Sequence, residues 1–290
     1  MSQINVDTVV PQSTQVVDVN GVKLDANSTS LQISNNNNPV TATNSLFVGS
    51  ATGFSATGEG NTAVGYFAGY DLTSGTQNTL IGKNAGQNIT TGPSNTMVGV
   101  DAGELVTTGQ NNTFIGHGAG ATVTTGNANV FIGPDTGVGI SNITGQGIVL
   151  IGSGGGVNPS SASAQFEITL GNSFITALRC AQTSITSLSD ARDKKDVTDL
   201  RAGLDFVKGL RPVEFVWDER DEEGRHDIAD FGFIAQDLKA AQEDAELADV
   251  LKLVYESNPE KLEASYGKLV PILVKAVQEL AAKVEQLEKK

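Results

Sequence analysis

One spacing constrains this chain more than any other. Asn61, Asn78, Asn95, Asn112 and Asn129 recur every 17 residues, and three glycine columns keep the same register. Gly65, Gly82, Gly99, Gly116 and Gly133 form the first. Gly69, Gly86, Gly103, Gly120 and Gly137 form the second, and Gly75, Gly92, Gly109 and Gly126 the third. The unit reads N-T-x-[VI]-G-x-x-A-G-x-x-[VI]-T-T-G-x-x, as in Asn78-Thr79-Leu80-Ile81-Gly82-Lys83-Asn84-Ala85-Gly86. Looser copies flank it at Asn44-Ser45-Leu46-Phe47-Val48-Gly49 and Val149-Leu150-Ile151-Gly152. A fixed short period is the signature of an architecture in which each unit buries its apolar face only against its neighbours.

The period predicts a mainly β shaft, a β-solenoid or β-roll. Segments such as Thr113-Phe114-Ile115 and Val130-Phe131-Ile132 read as short strands, with Gly at corners that need φ > 0. Ile89-Thr90-Thr91 and Val123-Thr124-Thr125 are β-branched and read as a second strand of each rung. The Asn column reads as a hydrogen-bonded ladder inside a corner. Each unit offers only two or three large apolar side chains, so the expectation is a homotrimer in which three thin solenoids share an axial core.

Outside the array, Val9-Val10-Pro11, Val16–Val19 and Val22-Lys23-Leu24 read as short strands, and Asn35 to Asn38 as a loop. Residues 153–164 read as a loop. Residues 166–170 and 174–178 read as a β-hairpin around Gly171-Asn172 that ends the shaft. The expected divisions are 1–43 as an N-terminal attachment region, 44–152 as the shaft, 153–188 as the shaft end and junction, and 189–290 as a second domain.

Composition separates two materials at that junction. Of the 19 basic residues, 16 lie from Ser189 onward, as do 24 of the 33 acidic ones; 28 of the 33 glycines lie before it. The net charge of −14 argues against nucleic-acid binding, which needs clustered Lys and Arg. No apolar run reaches the ~18 residues that suggest a bilayer span. MSQINVDTVV lacks the basic and apolar regions of a secretory signal. The single cysteine, Cys180, forms no internal disulfide and reads as a small buried apolar residue. With His117 and His226 it supplies too few ligands for zinc, so no metal or other cofactor is expected. Both histidines read as exposed, Glu219 to Glu223 as a solvated hairpin tip, and Trp217 as core.

Ser189-Asp190-Ala191-Arg192-Asp193-Lys194 opens the charged part. A serine beside a lysine is one way to activate a hydroxyl nucleophile, provided the lysine is neutral. On an ideal helix Ser189 and Lys194 point about 140° apart, so a dyad requires a turn. The competing reading makes Ser189 a helix N-cap. Downstream, Ala202 to Leu210 reads as a helix, Pro212 to Trp217 and Ile228 to Ile234 as paired strands, and Phe231 to Gln236 as the entry to another helix. Tyr266 to Lys290 reads as a long helix whose Leu273, Val277, Leu280, Val284 and Leu287 form a heptad seam for partner helices.

Three ordered motifs carry a family resemblance: residues 189–194, Gly232-Phe233-Ile234-Ala235-Gln236, and residues 266–280. The region from about 187 to 290 resembles the C-terminal intramolecular chaperone of phage tail fibres and tailspikes, the self-cleaving domain of endosialidase type, and the repeat resembles stalks that precede it. The resemblance implies a small α+β chaperone domain ending in a coiled-coil helix. It implies a structural homotrimeric tail fibre of the virion, made in the host cytoplasm, that attaches to a host-cell receptor. It further implies joining to other tail or baseplate proteins through the N-terminal region, and neither nucleic-acid binding nor membrane insertion. The domain would trimerise the chains, assist shaft folding and cut itself off at Leu188–Ser189. Ser189 would be the nucleophile and Lys194 the general base, with Leu188, Asp190, Arg192 and Gln236 supporting the cleavage site. Such a serine endopeptidase turns over once and takes no external substrate.

The alternative is a bacterial or phage polysaccharide-degrading tailspike with a catalytic β-helical shaft. That chemistry needs paired carboxylates, for which Asp101 with Asp135 in one repeat column, or Asp71 with Glu104, are the candidates. The Thr90-Thr91, Thr107-Thr108 and Thr124-Thr125 column also fits an ice-binding or surface-layer solenoid.

Overall fold

The structure, a computed structural model, describes residues 16–19, 22–25, 31–33, 42–154, 156–172, 175, 179, 188–220 and 225–289. It divides into two compact units, Met1–Ser173 and Phe174–Lys290. The expected strand at Val9-Val10-Pro11, the Asn35 to Asn38 loop and Cys180 lie outside the described residues.

The first unit is a parallel β-solenoid. Strands β1 (Val16–Val19), β2 (Val22–Asp25) and β3 (Leu31–Ile33) pair antiparallel. β3 then pairs in parallel with β4 (Leu46–Val48), and the column continues through β5 (Thr62–Val64), β6 (Thr79–Ile81), β7 (Thr96–Val98), β8 (Thr113–Ile115), β9 (Val130–Ile132), β10 (Val149–Ile151) and β11 (Ile168–Leu170). β3, inside the expected attachment region, is thus hydrogen-bonded into the shaft sheet. The middle residue of each rung strand points inward. Phe47, Ala63, Leu80, Met97, Phe114, Phe131 and Leu150 are fully buried. Against them pack the columns Ala68, Ala85, Ala102, Ala119 and Leu72, Ile89, Val106, Val123, Ile143. The core therefore closes within one chain, and the premise of a core shared between thin solenoids is corrected.

The Asn column forms the expected ladder. Asn78 Nδ2 donates to Asn61 Oδ1 at 3.1 Å, Asn95 to Asn78 at 3.1 Å and Asn112 to Asn95 at 3.0 Å. Each Oδ1 also accepts the backbone N–H of the next Asn, and each Nδ2 reaches a glycine carbonyl, as Asn95 Nδ2 does to Gly109 O at 2.9 Å. All five are fully buried, so every donor needs such a partner. Strand pairing places Ser45, not Asn44, in this column: Ser45 Oγ accepts from Asn61 N. Asn44 stands at a left-handed corner, φ 53°, that Gln77, Ser94, Asn111 and Ala128 repeat. At the far end Ile148 takes the position and its N–H bonds Asn129 Oδ1. Gly82 shows what its column requires: φ is 134°, and a Cβ would lie 2.3 Å from Gly99 O.

The Ile89-Thr90-Thr91 segments are turns rather than a second strand. Thr90 N–H bonds Thr107 O at 2.9 Å and its hydroxyl reaches the same carbonyl at 3.2 Å, so the column is held by bonds converging on one carbonyl per rung rather than by a strand ladder. The hydroxyls of Thr90, Thr107 and Thr124 thus have acceptors within the shaft. At the shaft end, β11 runs parallel to β10 as a further rung; the hairpin arm expected over 174–178 falls outside the described residues except Ile175. The segment 153–164 is irregular yet adds Val157 and Ala164 to the core.

The second unit is a small α+β region. It contains α1 (Leu204–Gly209), the hairpin β12 (Val213–Asp218) and β13 (His226–Gly232), α2 (Ala235–Asp244), α3 (Ala248–Leu251), the short pair β14 (Val254–Tyr255) and β15 (Glu263–Ala264), and α4 (Leu269–Glu288). Its core is Ala202, Leu238, Leu247, Leu251, Leu253, Val254, Leu269 and Ile272. Pro271 sits in the first turn of α4, where no backbone donor is needed. Trp217 is half-buried on the hairpin rather than in this core. Arg225 covers its ring at 3.4 Å, Phe215 meets it edge-on, and its Nε1 donates to Asp230. α4 buries Leu269, Ile272 and Ala276, while Leu273, Val277, Leu280, Val284 and Leu287 are 45–68% exposed. No helix among the described residues is long and apolar enough to cross a membrane.

Replacing Asn95 by Ala strands the Gly109 carbonyl and the Asn112 backbone N–H in a dry corner and removes one of the two bonds of Asn112 Nδ2. Urea denaturation should show a loss of about 3 kcal/mol. Gln77→Gly, at an exposed left-handed corner, should show none.

Candidate functional site

The segment after Leu188 builds a compact polar cluster on a single 3-10 turn, Ala191–Asp193. Asp190 caps that turn: its Oδ1 accepts the Arg192 N–H at 2.9 Å. The same carboxylate grips the Arg192 side chain, Nε at 3.0 Å and Nη2 at 2.6 Å. The guanidinium, and then the backbone N–H, hold the Asp190 carboxyl below its ordinary value. A depressed native value means that the contact is fully present above the free-Asp value of about 3.9 and is lost only as pH falls through the lower native one.

The turn reverses the chain, and Lys194 leaves it extended at φ −124° and ψ 141°. Lys194 Nζ thereby donates to Ser189 Oγ at 2.5 Å and to Ser189 O at 3.2 Å. A turn thus does what an ideal helix cannot, and the cap is Asp190, not Ser189. Leu188, before the serine, is fully exposed, and Ser189, Asp190, Arg192 and Lys194 are exposed. Chemically this is a hydroxyl with an amine in hydrogen-bond contact and a peptide bond on its N-terminal side. The amine acts as a base only when neutral, a state that burial favours.

Gln236 is exposed in the first turn of α2, and none of the described hydrogen bonds joins it to Ser189 or Lys194. The second and third motifs instead meet one another. The Tyr266 hydroxyl accepts the Phe233 N–H at 3.1 Å and faces Phe233 O at 3.4 Å, while the two rings cross at 70°. Gly232 makes this possible, because a Cβ there would sit 2.5 Å from the Tyr266 oxygen. The other end of the third motif reaches α1: Glu279 Oε2 accepts the Leu204 N–H at 2.7 Å. Sequence reasoning missed Tyr266 and Glu279 as organising residues. A signal was present in Gly203, a helix start with no capping side chain of its own.

The carboxylates weighed for sugar hydrolysis serve the corners. Asp101 and Asp135 have φ 58° and 54°, a conformation Asp tolerates, with Gly118 between them in the column. Asp101 accepts from Asn84 at 2.9 Å and Asp135 meets His117 at 3.1 Å. His226 likewise has a carboxylate neighbour, Asp218 at 3.0 Å. Among the described residues no cluster of three or more His, Cys, Asp or Glu is arranged to hold a metal ion.

Residues 189–247 match the family model described as chaperone of endosialidase. The match begins at Ser189 and takes in the 3-10 turn, the hairpin and α2; α4 lies beyond it. No curated protein and no solved structure matches the chain. The chain therefore carries an endosialidase chaperone domain after a β-solenoid shaft, a combination that fits a phage tail fibre or tailspike.

Tyr266→Phe should lower the stability of the second unit by about 1 kcal/mol. Gly232→Ala should cost more, and the double variant should regain part of that loss, read from guanidinium denaturation as a double-mutant cycle.

Proposed function

We propose that this chain is a homotrimeric tail fibre of a virion, with a C-terminal domain that aligns three chains, assists shaft folding and releases itself by cutting Leu188–Ser189. The observation that carries this reading is the Lys194 Nζ to Ser189 Oγ contact of 2.5 Å at the first residues of the family match. Ser189 Oγ attacks the Leu188 carbonyl carbon while Lys194 takes its proton. The C–N bond then breaks, the proton passes to the new Ser189 amine, and water hydrolyses the resulting ester. Asp190 and Arg192 hold the turn that keeps the pair together. The cluster is open to solvent in one chain, so burial by neighbouring chains supplies the desolvation that makes Lys194 a base. Cleavage then follows assembly, and the released shaft is held by kinetics rather than by a reversible equilibrium.

Two surfaces support three copies. The α4 seam is apolar and unpacked within the chain. The outer face of the shaft sheet, from Leu46 and Val48 to Ile168 and Leu170, carries no charge over eight rungs, roughly 34 Å at the spacing of paired strands. In a chain of net charge −14, such a face lets identical copies meet without repulsion. The N-terminal strands would join the tail or baseplate, and the exposed shaft would meet the host.

Intact mass under denaturing conditions tests the cleavage. Wild type should give two fragments, the smaller starting at Ser189, and Ser189→Ala and Lys194→Met one uncut chain. Uncut wild type sinks the self-processing reading. Light scattering should give three times the chain mass for Ser189→Ala. Adding Leu280→Asp to Ser189→Ala should reduce that assembly to single chains, and Leu280→Asp alone should slow cleavage at least tenfold.

A further inference from the structure

Aromatic rings are scarce in the shaft, and those outside its core are not scattered. Phe47, Phe114 and Phe131 are fully buried. Of the other described rings, all except Phe166 gather at one corner. Phe54 stacks on Tyr70 at 5.6 Å, Phe67 meets Tyr70 at 4.6 Å, and Tyr66 crosses Phe67 at 4.3 Å. Tyr66 is 51% exposed and Phe54 36%.

Phe67 holds its place against the backbone. Its φ is +58°, in the column where other rungs put Ala51, Asn84, Asp101, Gly118 and Asp135. Asn, Asp and Gly tolerate the left-handed region and Ala is small, whereas a bulky side chain is an outlier there. Its ring lies outside the buried core. Strain kept on a surface ring points to a function for that ring.

The next rungs supply polar groups on the same columns. Asn84 N–H bonds Tyr66 O, and Asn84 Nδ2 bonds Asp101 Oδ1 one rung further. Lys83 is the basic group of this corner, against Asp71 and Asp101.

We infer that this corner is a carbohydrate site, an aromatic platform for an uncharged pyranose ring of a surface glycan. The faces of Tyr66 and Phe67 cover the apolar C–H side of the sugar, since such rings give large rigid contact area with a polar tip. The tyrosine hydroxyls, the Asn84 amide and the Asp101 carboxylate meet its hydroxyl groups. The surplus of carboxylates rejects sulphated and sialylated sugars. This rests on the host-attachment reading and gives it a ligand class.

Saturation-transfer NMR on the full chain, with neutral hexasaccharides of glucose, galactose, mannose and N-acetylglucosamine beside a sulphated hexasaccharide, tests it. Transfer from aromatic protons to at least one neutral sugar, and not to the sulphated one, is expected. Phe67→Asn should weaken binding about tenfold, one stacking contact's worth, yet raise the melting temperature by about 2–4 °C by relieving the corner. Tyr66→Ser should also weaken binding. The proposal is overturned if no neutral sugar takes up saturation, if binding survives both variants, if only the sulphated sugar binds, or if Phe67→Asn melts lower than wild type. Intact and trimer masses on the same samples judge the fibre reading separately.

Discussion

The shaft depends on how a buried amide satisfies a turn. A narrow solenoid must bend its backbone at every rung, and each bend leaves peptide groups inside the wall with no water to bond. One Asn per rung answers several needs together. Its oxygen accepts from the backbone and amide of the rung after it, and its nitrogen closes the glycine corner. Buried polar groups are tolerated when they are satisfied, and a chain of such bonds is mutually polarising. The glycines answer the remaining constraint, the distance of closest approach between rungs.

The second unit is organised differently. Its buried core is small, and much of its apolar surface, along α4 and on the hairpin at Val216, Ile228 and Phe231, faces outward. Salt bridges such as Arg211–Asp237 and Lys239–Glu256 lie on its surface, where they add little stability.

Much of this was legible in the residues. The 17-residue period gave the rung, its short strand and the Asn ladder, because stacking identical units leaves no other place for an identical polar residue. The long helix α4 was also legible; the turn after Ser189 was legible only conditionally, because a spacing of five requires a turn for a dyad but not for a helix N-cap. What escaped was geometry without a periodic signature. Thr90 reads as a strand residue, but the chain bends at Thr90-Thr91, and its N–H and hydroxyl both turn to one carbonyl, Thr107 O. The parallel pairing of β11 with β10 also escaped, because Gly171-Asn172 marks a turn while nothing local marks a partner 19 residues back. The Tyr266–Phe233 and Glu279–Leu204 contacts join residues 33 and 75 apart, and no local pattern announces them.

The rungs from Thr62 to Val130 advance by one constant step, and that equality carries a hazard. A chain displaced by one whole unit would still place Asn over Asn and glycine over glycine. The ends break the degeneracy. β5 follows β4 after 16 residues, and β10 and β11 each follow after 19. Ser45 and Ile148 close the amide column at either side. The irregular end rungs therefore act as a vernier: the uniform middle admits several equivalent windings, and the odd steps at its limits decide which of them is the native one.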